Sequence, residues 1–267
     1  MKTIHIAFGA DARYAEQLMT TIKSVCYHNS RIYFHLLNRD FPSEWFDELN
    51  QTLSLMDSRI GDLKITNGQI GTYRTLPHIA SDSTYFRYFI PELIHQERIL
   101  YLDCDLVNGD LSPLFALDLQ NKPLAAVPDI ITKFNRPENN PQFNAGVMLI
   151  DNAEWRKIDL TRIALDLSDR IIHELPDSDQ SILNILFENK WLRLHRNCNY
   201  QVGLDWILAD QDKAHQIENL LDIVPLIVHY NTAAKPWSNQ SPRTRFQDLY
   251  SRYRDTDWET IIGRHQV

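Results

Sequence analysis

The sequence is short of cysteine, of positive charge and of long apolar runs, and each shortage excludes something. Three cysteines (Cys26, Cys104, Cys198) among 267 residues form an odd set with no C-x-x-C spacing. Neither a disulfide framework nor a thiolate zinc site is expected, and a reducing cytoplasm fits. The 27 Lys and Arg are outnumbered by 35 Asp and Glu, for a formal net charge of -8. No nucleic-acid partner is expected, because a phosphate backbone needs a concentrated basic surface. An anionic ligand would have to be met locally or through a metal. No apolar run approaches the roughly 20 residues of a spanning helix. The opening segment is interrupted by His5 and ended by Asp11, too short for a signal peptide or a span. A soluble protein is expected, with peripheral membrane contact left open.

What is present is a chain that is 43% hydrophobic and 10% aromatic, enough for the core of one α/β domain. Short runs rich in Ile, Val, Leu and Tyr alternate with segments of helical period, the pattern of a mostly parallel sheet covered on both faces. The runs predict strands at Ile4–Phe8, Ile32–Leu37, Asp62–Thr66, Ile99–Leu102, Leu124–Pro128, Gly146–Ile150, Leu192–His195 and Leu226–Tyr230. Helices are predicted at Tyr14–His28, Ser43–Met56, Ser83–Leu93, Leu160–His173, Asp179–Glu188 and Arg243–Tyr253, with Asp177 or Ser178 as a cap. Residues 131–142 and 232–242 read as surface loops at the edge of a site. There is no internal repeat, low-complexity tract or dividing linker.

The segment Arg98-Ile-Leu-Tyr-Leu-Asp-Cys-Asp-Leu-Val107 sets two carboxylates in an otherwise apolar run. A D-x-D pair alone is weak, since 24 aspartates give about two by chance. The chain holds four: Asp103/Asp105, Asp177/Asp179, Asp210/Asp212 and Asp255/Asp257. The last three lie in polar surroundings and read as solvated charge, Asp179 excepted. Asp103 and Asp105 differ in context. In an extended segment residues i and i+2 point to one side, so both carboxylates face one point while Cys104 faces the other way. Such like charges raise each other's pKa unless a cation lies between them. A divalent metal resolves the conflict: oxygen ligands favour Mg²⁺ or Mn²⁺, and an added imidazole tilts the choice to Mn²⁺. The carboxyl ends of strands are also where open α/β sheets bind ligands. A phosphatase-type reading competes, with the first aspartate as phosphorylated nucleophile, but Val107 stands at its hydroxyl position.

Other segments carry two readings each. A lone strand-end histidine such as His229 commonly serves the core, yet beside a metal pair it would be a third ligand. Lys235, six residues on, would then supply a cation for phosphate. Ala145 and Gly146 permit close approach by a ligand or by a neighbouring backbone. Asp179 either favours a helix dipole or acts in a site. Arg87, set among aromatics, is either a stacked structural cation or a phosphate clamp.

In order, five motifs resemble glycosyltransferase family 8, the retaining nucleotide-sugar enzymes that include bacterial lipooligosaccharide galactosyl- and glucosyltransferases and the glycogenins. They are Phe8-Gly-Ala-Asp-Ala-Arg-Tyr14, Thr84-Tyr-Phe-Arg87, Tyr101-Leu-Asp-Cys-Asp105, Phe143-Asn-Ala-Gly-Val147 with Asp179-Gln180, and His229 through Lys235-Pro-Trp237. The resemblance runs from Ile4 to about Trp237. It implies a GT-A fold, with residues 1–240 as the catalytic domain and 241–267 as a C-terminal helical extension. It implies that Asp103, Asp105 and His229 hold Mn²⁺, or Mg²⁺, against the diphosphate of a UDP-hexose. Gly9, Ala10, Asp11 and Arg13 would meet the nucleoside, and Lys235 and Arg87 the diphosphate or sugar. Cys104, Asn144, Ala145, Asn231 and Thr232 complete the expected donor contacts. Asp129, Asp179 and Gln180 would act on the donor sugar, Gln180 facing its oxocarbenium-like centre.

Arg13 stands where relatives often have Asn, and Asn231-Thr-Ala233 replaces a commoner glycine-containing turn, so those contacts differ here. The segment from Lys133 to Gln142 is short, and the acceptor does not carry over: a glycan, glycolipid or glycoprotein all fit. The C-terminal part offers Arg243, Arg245, Arg252 and Arg254 with Phe246, Tyr250, Tyr253 and Trp258, diluted by acidic residues. This mixed-charge helix permits membrane contact without requiring it. Two other functions compete with transfer of glucose or galactose in α linkage. One is a metal-dependent phosphohydrolase. The other is a non-catalytic nucleotide- or sugar-binding module, which should have lost its metal ligands first.

Overall fold

The computed structural model describes residues 3–73, 81–130, 141–204, 223–238 and 245–266. Its first unit is the expected βαβ. Strand β1 (Ile4–Gly9) leads into helix α1 (Ala15–His28), which returns the chain to β2 (Ile32–Asn38), paired in parallel with β1. Leu18, Ile22, Val25 and Cys26 recur at helical spacing, so one stripe of α1 is buried against Ile6, Phe8 and Phe34 of the strands.

Helix α2 (Ser43–Ser54) then precedes β3 (Arg59–Lys64), which adds in parallel to β2. That strand starts three residues before the run from Asp62 that hydropathy picks out. Its first residue, Arg59, looks polar in sequence but lays its guanidinium 4.0 Å from the centre of the Tyr33 ring, which hides the strand's beginning. The predicted helix from Ser83 to Leu93 is mostly a 3-10 helix, Asp82–Phe89, followed by the single turn α3 (Ile90–Leu93). Pro91 has no N–H to return to Arg87, so a continuous α-helical ladder cannot form across this junction.

Strands β4 (Arg98–Leu102), β5 (Leu106–Asn108), β6 (Leu124–Pro128) and β7 (Phe143–Asp151) follow, with the short helix α4 (Ser112–Phe115) before β6. After helices α5 (Asn152–Lys157), α6 (Leu160–Ile171) and α7 (Ser178–Leu186) come β8 (Leu192–Arg193), β9 (Tyr200–Gln201) and β10 (Ile227–His229). The main sheet runs β3-β2-β1-β4-β7-β6-β8, and a three-stranded sheet runs β5-β10-β9. In the main sheet β7 alone is antiparallel to both its neighbours. The carboxyl ends of β1, β4 and β6 therefore share one edge with the start of β7. Residues at the beginning of β7 thus face the same ligand-binding edge as residues at the ends of the others.

Neither β5 nor β9 is visible as a run of its own. Each is fixed by β10, whose pairing with β5 sets His229 opposite Leu106. The C-terminal helix, expected from Arg243, is α8 (Gln247–Asp255) among the described residues, followed by α9 (Trp258–Gly263). Both pack on α1: Lys23 Nζ donates to the carbonyls of Arg254 and Thr256 at 3.0 and 2.8 Å. Tyr250 and Tyr253 are buried with Val107, Val228 and Tyr230, so these two aromatics face the core. Among the described residues no helix is long and apolar enough to cross a membrane.

Candidate active site

The acidic pair lies where β4 stops and β5 begins. Asp103 N donates to Gly146 O at 2.8 Å, and Asp105 O accepts from Tyr230 N at 2.9 Å, so neighbouring strands hold both ends of the bend. Cys104 turns away, its thiol 3.7 Å from Gly9 O, and burial raises its pKa well above the usual thiol value. Each aspartate has one oxygen engaged by protein donors. Asp103 Oδ1 accepts from Arg87 Nη2 and the Tyr101 hydroxyl, both at 3.0 Å, and Asp105 Oδ2 from Lys235 Nζ at 2.5 Å. The other oxygens face one imidazole nitrogen: His229 Nε2 lies 3.2 Å from Asp105 Oδ1 and 3.7 Å from Asp103 Oδ2.

This donor set fits a hard divalent cation. One ligand atom from each of Asp103, Asp105 and His229 lies within 4.8 Å of the others. The opposite ring nitrogen, Nδ1, is 3.1 Å from Asn199 Oδ1; an amide oxygen only accepts, so Nδ1 carries the proton and Nε2 keeps its lone pair for a metal. Gly146 leaves the space. A methyl group at its α-carbon would come within 2.6 Å of Asp103 Oδ2 and nearer still to the His229 ring. Burial alone would raise the Asp105 carboxyl, but the Lys235 ammonium and then His229 more than offset it, holding it well below the ordinary range.

Lys235 is aimed by its successors. Trp237 packs edge-on to Tyr14 at 6.4 Å and tilted against Tyr250 at 5.2 Å, while Lys235 Nζ also donates to Tyr230 O at 2.7 Å.

Arg87 is buried and stacks 4.5 Å from the centre of the Tyr101 ring. Its Nη1 donates to Ala145 O at 2.6 Å, and its Nε donates to Thr84 O and pairs with Asp179 Oδ2, each at 3.0 Å. With Nη2 on Asp103, every nitrogen makes at least one contact, and Arg87 also lines the cleft itself. Burial raises the Asp179 carboxyl to about 6, although Arg87 and a hydrogen bond from the Thr84 hydroxyl oppose the rise. Asp179 lies at the start of α7, where Ser178 takes a left-handed φ of 49°. Asp177, one of the two residues expected as a cap, occupies the cap position without a side-chain capping bond.

At the other end of the cleft the groups are amides. Asp129 Oδ2 accepts from Asn144 Nδ2 at 3.0 Å and Gln180 Nε2 at 3.1 Å, and Gln180 Oε1 accepts from Ala145 N at 2.9 Å. Asn144 Oδ1 accepts from Asn199 Nδ2 at 2.9 Å. Asn199 thereby joins the two ends, touching His229 with its oxygen and Asn144 with its nitrogen.

These groups surround a cavity of about 260 Å³ lined by Gly9, Ala10, Arg87, Asp103, Cys104, Asp105, Asp129, Asn144, Asp179, Gln180, His229, Asn231 and Lys235, among others. Of the other residues named from sequence, Asp11, Arg13, Ala145 and Thr232 do not line it. Asp11, next to Ala10, accepts from Arg13 Nη2 at 2.9 Å, and Thr232 donates to Ala234 O at 3.2 Å. Tyr14, Ser81, Ser83, Thr84, Tyr101, Gly146 and Asp177 also line the cavity. Asp177, read from sequence as solvated, is therefore a cleft residue. Asp255 and Asp257 do stand exposed at helix ends, and Asp210 and Asp212 lie outside the described residues. Asn199 was missed because a single Asn in a polar stretch carries no pattern.

Residues 5–241 match the family model for glycosyl transferase family 8. The chain belongs to that family. It is 37% identical over 263 residues to glycosyltransferase GlyA of Streptococcus pneumoniae serotype 4, a match covering 98% of this chain and 36% of GlyA. The crystal structure of apo glycosyltransferase GlyE from Streptococcus pneumoniae TIGR4 superposes with a TM-score of 0.85 at 33% identity, covering 98% of this chain and 63% of that one. The galactosyltransferase LgtC, solved with donor and acceptor sugar analogs, gives a TM-score of 0.81 at 23% identity, covering 97% of this chain and all of LgtC. The fold is thus GT-A. The chain spans about a third of the length of GlyA and just under two thirds of GlyE.

Proposed function

We propose that this chain is the catalytic part of a retaining, Mn²⁺-dependent hexosyltransferase. It moves glucose or galactose from a UDP-sugar, in α linkage, to a glycan acceptor on a lipooligosaccharide, glycolipid or glycoprotein. Residues 1–240 act as the catalytic domain and 241–267 as a helical extension, working in the cytoplasm. One observation carries the reading. Asp103, Asp105 and His229 converge beside Lys235 at one end of a cleft whose other end is the Asp129, Asn144 and Gln180 network.

Mn²⁺, or Mg²⁺ in its place, would supply Lewis-acid stabilisation of the departing diphosphate. Asp103, Asp105 and His229 would hold it, each presenting one ligand atom that the protein leaves outward. Lys235 adds a second positive charge aimed at the phosphates, the electrostatic contribution expected to dominate. Asp129 and Asp179 accept hydrogen bonds from donor-sugar hydroxyls, and Asn144 orients the same ring. Gly9 and Ala10 meet the nucleoside from the cavity wall, with Asp11 and Arg13 next to them outside it, and Asn231 lies near the phosphates, followed in the chain by Thr232. Gln180, fixed by Asp129 and Ala145 N, turns its amide to the oxocarbenium-like centre. The acceptor hydroxyl attacks the face that UDP leaves and passes its proton to the leaving phosphate, so no protein base is required.

A panel of UDP-sugars tested for slow hydrolysis with Mn²⁺ examines this directly. Donor-selective release of UDP that Asp105→Asn abolishes supports the reading; release unaffected by that substitution overturns it.

A further inference from the structure

The polar wall does not end at Asp129. That residue also lines a second, narrow cavity, together with Arg193, Arg196, Asn199, Gln201 and Leu204. Its volume is about 20 Å³, far too small for a sugar ring. Arg193, exposed, and Arg196, half-buried, both line it from fixed backbone. Arg193 is in register with Ala126 where β8 joins the sheet edge, and Arg196 opens the 3-10 turn Arg196–Asn199.

Neither arginine has a carboxylate partner among the described residues. Arg98, Arg156 and Arg170 have none either, but each donates to backbone carbonyls, whereas Arg39, Arg87, Arg162 and Arg254 meet carboxylates. Arg196 is half-buried, and that burial, with the charge of Arg193, lowers its pKa. Withdrawing a guanidinium from water beside a like charge is unfavourable without an anion to meet it. The amides in the cavity wall are engaged elsewhere. Gln201 Oε1 accepts from Ile130 N at 3.0 Å and its Nε2 donates to Pro128 O at 3.1 Å, while Asn199 serves His229 and Asn144. The ionic side chains that line it are thus two arginines and one carboxylate, Asp129, whose Oδ2 already accepts from Asn144 and Gln180, in a protein whose net charge is -8.

We propose that this cavity is an acceptor subsite, taking a phosphate or carboxylate carried by the molecule that receives the transferred sugar. The inference rests on the glycosyltransferase reading above and adds the charge class of the acceptor. Asp129 stands at the junction of the two cavities. An acceptor hydroxyl held in the main cleft near Asp129 would thus bring an anionic neighbour on the same molecule against Arg193 and Arg196. Guanidinium forks are suited to either anion because both present paired oxygens.

The test uses the full chain with Mn²⁺ and saturating UDP, which keeps small anions off the metal end. Binding of a methyl hexoside, the same hexoside 6-phosphate and the corresponding hexuronic acid is compared by ligand-observed NMR, in wild type, Arg196→Gln and the Arg193→Gln/Arg196→Gln double variant. The charged sugars should bind at least about tenfold more tightly than the neutral one. That advantage should collapse in the variants, with UDP affinity unchanged. Preference for the 6-phosphate assigns a phosphorylated acceptor, and preference for the uronic acid a carboxylated one. Equal or absent binding of charged and neutral sugars overturns the proposal, as does an advantage that survives the double variant. Failure of the wild type to bind UDP with Mn²⁺ would instead sink the transferase reading, and this inference with it.

Discussion

The two ends of the cleft restrain carboxylates by opposite means. At one end Asp103 and Asp105 are pinned by Arg87 and Lys235, charge against charge, and each keeps one oxygen turned to His229. At the other, Asp129 accepts from the neutral amides of Asn144 and Gln180. The first arrangement suits a cation and a diphosphate, which need fixed formal charge. The second suits sugar hydroxyls, which exchange hydrogen bonds with amides and carboxylates at little energetic penalty. Asn199 is the residue that both ends share.

The largest effect is expected from Asp105→Asn, which removes a ligand and takes from Lys235 its carboxylate partner. UDP release should fall by about a thousandfold, because several kcal/mol of charge stabilisation are lost. Gly146→Ala should come next. Its new methyl would press on Asp103 Oδ2 and His229, so Mn²⁺ binding should be lost and urea unfolding should show a loss of about 1–3 kcal/mol. Both substitutions strike the charged end alone and should leave the amide end intact.

Asn199→Ala tests the bridge between the ends. Freed from its partner, His229 can take the other tautomer, so Mn²⁺ affinity should fall about 10- to 100-fold by calorimetry. The smallest effect concerns Asp179. Its folded pKa, about 6, lies above the ordinary 3.8, so it contributes stability in full below about pH 4 and loses it as pH rises through about 6. In urea unfolding, the stability of Asp179→Asn relative to wild type should therefore improve between those pH values. A constant difference would show that Asp179 ionises like an exposed carboxylate.

Much of the charged end was legible in the sequence because its signals are periodic or ordered. An apolar strand ending in Asp103 and Asp105 announces itself, and His229 with Lys235-Pro-Trp237 follows in family order. The bridge was not legible. Asn199 acts through two single hydrogen bonds made across 30 and 55 positions of chain, and no spacing encodes them. For Arg87 the structure adds what no spacing encodes, its contacts with Asp103, Asp179, Ala145 O and the Tyr101 ring. For the fold, the βαβ unit was readable from α1 because one stripe of a 14-residue helix is apolar. Strands β5 and β9 were not, since three and two residues carry no alternation and exist as strands only through β10. The antiparallel course of β7, which brings Asn144 and Gly146 to the ligand edge, is likewise a property of pairing rather than of composition.

The most direct measurement is a Mn²⁺ titration of the full chain, following the free-ion electron paramagnetic resonance signal with and without UDP. One ion should bind per chain, more tightly when UDP is present, and binding should vanish in Asp105→Asn and His229→Ala. The absence of saturable binding, or binding that both variants retain, would contradict a metal held between Asp103, Asp105 and His229.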